Sequence, residues 1–89
     1  MDLTSVNLTH LYYFKIVAER ENMTKAAEQL FVSQPALSKA ILKPEHSLGV
    51  TLFERSKGRL HLSAIGAEYY HYISQAFHAI EAGGAILKR

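Results

Sequence analysis

A small, mostly α-helical domain with a single β-hairpin is the fold class this sequence predicts, on three observations. Helix-capping residues recur along the chain: Asn7, Thr24, Ser33 and Ser63 each precede a run of apolar residues at helical spacing. Between the third run and the fourth, helical periodicity gives way to two short alternating segments around a glycine. The 89 residues, 48% of them hydrophobic, suffice for one small domain that buries a core without metal or crosslinks.

Composition narrows the function classes. The chain has no cysteine, which excludes a disulfide framework and a thiolate metal site and suits the reducing cytoplasm, the expected location. MDLTSVNLTH lacks the basic and apolar regions of a signal peptide. No apolar stretch is long enough to span a bilayer, so no membrane partner is expected. A glycine-rich phosphate loop and a nucleophile motif are both missing, and Ser33 and Ser63 read as caps, so no enzyme is expected. His71 and His78, with Glu68, form a two-ligand corner that no further spaced ligand completes, so neither metal nor cofactor is expected.

Taken in order, Asn7 caps a first helix through about Arg20, with Leu8, Leu11, Phe14 and Val17 on one face. Thr24 caps a second helix, Lys25 to Phe31, although Glu28 falls one residue late for a capping box. Ala26, Ala27, Leu30 and Phe31 form its apolar edge, and the alanines admit another helix closely. Ser33 caps a third helix with Pro35 in its first turn, where a missing N–H costs little. Leu37, Ile41, Pro44 and Leu48 lie along one face of it, and Gly49 closes it. The opposite face carries Pro35, Ser38, Lys39, Leu42 and His46, with Lys43 at the margin.

Leu52 to Arg55 and Arg59 to Leu62 then read as two strands around the turn Ser56-Lys57-Gly58, and Ser63 caps a final helix. Two helices across a tight break, followed by a hairpin, make a winged helix-turn-helix: a three-helix core plus a β-hairpin wing, here with a long C-terminal helix. From Ile65 to Leu87 that helix would run roughly 34 Å, about the diameter of the globule. Its apolar residues form two adjacent seams: Ile65, Tyr69, Tyr72, Ala76 and Ala79, then Tyr70, Ile73, Phe77, Ile80 and Leu87. One core needs only one seam, so the other is expected to join two copies. The expected dimer residues are Tyr69, Tyr70, Tyr72, Ile73, Phe77, Ile80 and Leu87. Gly83-Gly84 is expected to weaken and fray the end of the helix.

Net charge is only +2, with a pI near 9.0, but the distribution is uneven. Lys39, Lys43, Arg55, Lys57 and Arg59 lie in one central stretch opposed there only by Glu45 and Glu54. A local basic surface on a near-neutral domain is what phosphate contact requires.

The string ENMTKAAEQLFVSQPALSKAI, with LGVTLFER and LSAIG after it, closely resembles the N-terminal DNA-binding domain of LysR-type transcriptional regulators of bacteria. The resemblance covers nearly the whole chain from about Asn7. It implies a winged helix-turn-helix over residues 1–63 and a linker and dimerisation helix over residues 64–89. It further implies a dimer on partly palindromic double-stranded promoter DNA. An effector-sensing domain normally follows in the family. The sequence ends at Lys88-Arg89 without one, so an excised or truncated N-terminal piece is expected, with any small-molecule inducer acting only through the missing domain and a tetrameric parent left open.

Residue by residue, the resemblance puts Ser33, Gln34, Pro35, Ala36, Ser38 and Lys39 at positions that meet DNA. Their chemistry suits the role independently. Gln34 can pair with an adenine edge, Lys39 can donate to guanine or phosphate, and Pro35 and Ala36 can touch a thymine methyl. Thr24 with the N-terminus of the second helix suits a phosphate. Lys43 joins the set as a basic residue at the margin of the exposed face. Arg55, Lys57 and Arg59 on the wing suit phosphates or the minor groove.

Three departures from the family pattern stand out. Pro44 replaces a usual core leucine and is expected to kink or break the third helix near Lys43. Leu42 replaces a usual basic residue, and Ala40 a frequent glutamine. Pro44 and Leu42 support a rival reading, a dimerisation or protein-interaction module with weakened or lost DNA binding.

Overall fold

A computed structural model describes residues 2–89. After a short 3-10 turn at Leu3–Ser5 come α1 (Leu8–Arg20), α2 (Met23–Leu30), α3 (Gln34–Leu48), β1 (Phe53–Ser56), β2 (Arg59–Leu62) and α4 (Ala64–Ile86). Three of the four expected caps hold their helices. Asn7 accepts from the His10 N–H, Ser33 from Ala36 and Ser63 from Gly66. The fourth expectation is corrected. Asn22, not Thr24, caps α2 by accepting from the Lys25 N–H, so α2 starts two residues earlier and Thr24 sits in its first turn. The helix also stops one residue sooner, because Phe31 takes the left-handed conformation (φ 57°) as its C-cap.

The expected break at Pro44 does not occur: α3 runs continuously to Leu48 and closes on Gly49 in the left-handed region. Tertiary packing holds it across the proline. Leu37 and Ile41 are buried on one side, and the Glu45 side chain is tied to the next segment by hydrogen bonds from two backbone amides. Leu48, placed by spacing on the same face as Leu37 and Ile41, is exposed. The frayed end at Gly83-Gly84 is likewise not seen, since α4 continues to Ile86.

β1 and β2 pair antiparallel, with Phe53 opposite Leu62 and Ser56 opposite Arg59. Lys57 and Gly58 make the two-residue turn with φ of 53° and 73°. Two successive positive φ values match the twist of the flanking strands; glycine meets that demand freely and lysine at a cost.

Two connected cores hold these elements. In the first, Ile16 and Val17 of α1 meet Ala26 and Ala27 of α2 and Leu37 and Ile41 of α3. The small alanines let the helices approach, as their size suggests. In the second, Phe14 of α1 and Leu52 before the wing meet Ile73 and Phe77 of α4. A Cβ at Gly66 would overlap the Leu52 carbonyl, so only glycine lets α4 start this close to the wing root. Among the described residues, no helix is long and apolar enough to cross a membrane.

Candidate nucleic-acid interface

Ser33 in its capping conformation starts α3 with the first turn projecting from the domain. Leu37 and Ala40 face inward and are buried, whereas Ser33, Gln34, Pro35, Ala36 and Lys39 are exposed and Ser38 is half-buried. The local cause is the spacing: apolar residues at 37, 40 and 41 claim one side, which turns 34, 35, 38 and 39 outward. Thr24 is exposed in the first turn of α2, and its hydroxyl lies 3.4 Å from Gln34 Oε1. The start of α2 and the start of α3 therefore stand side by side.

The wing flanks this surface. A groove of about 200 Å³ between α3 and the hairpin is lined by Ser38, Leu42, Glu45 and Arg55, among others. Arg55, Lys57 and Arg59 are exposed. Arg59 reaches toward Glu21, but at 4.0 Å with the Arg59 side chain 76% exposed this pair contributes little and leaves the cation available. Lys43 is exposed on the other side of α3, beside Asn7, His10 and Pro44. It is therefore set apart from the groove that Ser38 and Arg55 share.

The residues expected at a dimer contact divide into two groups. Ile73 and Phe77 are only 8% and 9% exposed and belong to the domain's own core. Tyr69 and Tyr70 pack against that core, and Tyr69 stacks at a tilt on Phe14. This corrects the expectation for Ile73 and Phe77, because α1 occupies the face on which they lie. Tyr72, Ile80 and Leu87 remain open to solvent, at 69%, 51% and 86%. Ile65, Ala76 and Ala79 join them on the exposed side.

Sequence reasoning missed two polar tethers. The Tyr70 hydroxyl donates to Glu19 Oε2 at 2.7 Å, and Lys15 donates to the same oxygen at 2.8 Å. Burial alone would raise the Glu19 pKa, but the hydrogen bonds from Lys15 and Tyr70 outweigh it and hold the carboxyl below its ordinary value. Burial, helped by the Glu19 hydrogen bond, raises that of Tyr70. The second tether is Glu45, counted above only as an opposing charge. Lys15 and Glu19 are an i,i+4 pair that spacing could have shown, whereas Tyr70 on Glu19 and Glu45 on the wing root join residues that only the folded chain brings together.

An exposed helix front, a neighbouring helix N-terminus and a basic hairpin on one side define a winged helix-turn-helix protein. Residues 8–67 match the family described as bacterial regulatory helix-turn-helix protein, lysR family, and the chain belongs to that family. Over 79 residues it is 32% identical to the transcriptional activator protein LysR of Escherichia coli (strain K12), covering 89% of this chain and 25% of that protein. Over 84 residues it is 33% identical to the regulator BenM of Acinetobacter baylyi, covering 94% and 28% respectively. The chain thus spans about a quarter of these relatives' length.

Among solved structures, the BenM DBD in complex with catB site 1 DNA superposes with a TM-score of 0.86 at 33% identity, covering 94% of this chain and 93% of that one. The CbnR DBD–DNA complex gives 0.80 at 32% identity, covering 93% and 95%. These relatives are transcriptional regulators rather than enzymes.

Proposed function

We propose that this chain is a sequence-specific, double-stranded DNA-binding module that works as a dimer, the DNA-binding part of a bacterial LysR-type regulator in the cytoplasm. The observation that carries this is the exposed front of α3, where Gln34, Pro35, Ala36 and Lys39 project from a scaffold similar to those solved on DNA. In this reading α3 enters the major groove, with Gln34, Ser38 and Lys39 addressing base edges. Ser33, Thr24 and the first amides of α2 receive a phosphate. Arg55, Lys57 and Arg59 lie on backbone or minor groove, and Lys43 serves a phosphate from the other flank. Affinity comes largely from these cations and falls steeply with salt.

Residues 1–63 form the reading unit, and residues 64–89 the linker and dimerisation helix, whose first half also completes the core. Two copies meet along Ile65, Tyr72, Ala76, Ile80 and Leu87 and address the halves of a partly palindromic promoter site. An inducer would act through a further domain of the parent protein. The rival reading, a pure interaction module, drew on Pro44 and Leu42; the continuous helix removes the first ground, and the exposed Leu42 remains the second.

The test compares two variants. Gln34→Ala is expected to relax base preference, whereas Lys57→Ala weakens binding to every duplex alike. Identical effects of the two changes would refute this division of labour.

A further inference from the structure

We propose that Glu45 is a positioning residue for DNA binding, holding the wing at a set distance from the reading face of α3. This rests on the DNA-binding reading above. The Glu45 carboxylate accepts from the backbone N–H groups of Leu52 and Phe53, the residues at which the chain enters the hairpin. From the opposite side, Ser63 at the head of α4 holds the same segment. Its hydroxyl donates to the Thr51 carbonyl at 2.6 Å and its N–H to the Leu52 carbonyl at 2.9 Å. The wing root is therefore clamped between α3 and α4, and Glu45 is the α3 jaw.

Leu60 of β2 packs against Leu37 and Ile41 of α3 at the floor, but above that contact a groove lined by Ser38, Leu42 and Arg55 lies between the reading face and the wing. Glu45 lines the same groove and spans it with a charged acceptor. The sign of its charge makes the role conspicuous. A carboxylate beside Arg55 in a surface meant for phosphate repels it, so on electrostatics alone its removal would tighten DNA binding. The positioning role predicts the opposite.

The experiment measures duplex binding by the full chain, as wild type and as Glu45→Ala, across a salt series at a temperature where circular dichroism shows both folded. Glu45→Ala is expected to bind about ten-fold more weakly, with a shallower salt dependence as wing–phosphate contacts are lost and with base preference retained. In a background carrying Arg55→Ala and Lys57→Ala, the same change is expected to have no further effect. A merely structural role would weaken both backgrounds alike and so overturn the proposal, as would unchanged or tighter binding.

Should Glu45→Ala fail to fold, Glu45→Gln keeps one neutral acceptor oxygen. An intermediate loss that needs an intact wing supports the proposal, and a gain overturns it. A wild-type chain that binds no duplex at low salt brings down the DNA-binding reading and this role together. A wild type that binds while both variants bind equally well brings down this role alone.

Discussion

Tyr70 on α4 donates its phenolic hydrogen to Glu19 on α1 at 2.7 Å, across 51 positions of sequence. Lys15 shares the acceptor, so one carboxylate fastens the final helix to the first. Because Glu19 titrates below its ordinary value in the folded chain, its contribution is present above the unfolded carboxylate pKa and lost as pH falls through the folded one. Tyr70 titrates above its ordinary value, so its contribution is present below about pH 10 and lost at higher pH. Tyr70→Phe is expected to reduce stability at neutral pH by about 1 kcal/mol or less, since solvent screens the pair. It should also flatten the acid limb of the curve. Urea titrations between pH 3 and roughly pH 7 check both effects.

Pro44 has no N–H to offer the Ala40 carbonyl, yet α3 continues through it. The helix is held at a cost, and the groove beside Pro44, bordered by His10, Leu48 and Tyr69, has room for a larger side chain. Pro44→Leu restores the hydrogen bond and fills part of that space. It is expected to stabilise the fold by about 2 kcal/mol, which raises Tm by roughly 8–16 °C for a domain of this size. An unchanged Tm in calorimetry would refute this account of the proline.

Lys57 occupies the first left-handed position of the hairpin turn, where asparagine before glycine is the favoured choice. Lys57→Asn is expected to stabilise the domain by about 0.5–1 kcal/mol while weakening binding to all duplexes. Thermal melting and a binding titration on the same sample separate the two. A variant that gains stability and loses no affinity would remove Lys57 from the interface.

Ile80 and Phe77 lie three residues apart on α4 with opposite environments. Ile80→Asp is expected to give a folded monomer in sedimentation equilibrium, because it charges the exposed seam without entering the core. Phe77→Asp is expected to unfold the domain, because an unpaired carboxylate beside Phe14 and Leu52 has no partner. A dimeric Ile80→Asp variant would exclude this seam as the contact.

Much of this architecture was legible in the residues, for reasons that are local. Asn7, Ser33 and Ser63 act on the amide three residues ahead, so their helices announce themselves. The front of α3 was legible too, since Leu37 and Ile41 assign the inward face. Thr24 misled although Asn22, two residues earlier, is the stronger capping residue type and is the one that accepts from the Lys25 amide. Pro44 misled because its helix-breaking tendency is intrinsic, whereas the burial of Ile41 and the grip of Glu45 are tertiary. The seams of α4 could not be sorted from spacing, because only the position of α1 decides that Ile73 and Phe77 turn inward while Tyr72 and Ile80 stay free.

The most direct test of sequence-specific dimeric recognition is selection from a random duplex library at moderate salt, with sequencing of the bound fraction. Enrichment of a pseudo-palindrome, its half-sites about one helical turn apart, is the expected result. Binding without enrichment would contradict the reading role of α3, and no binding even at low salt would contradict DNA recognition by this chain altogether.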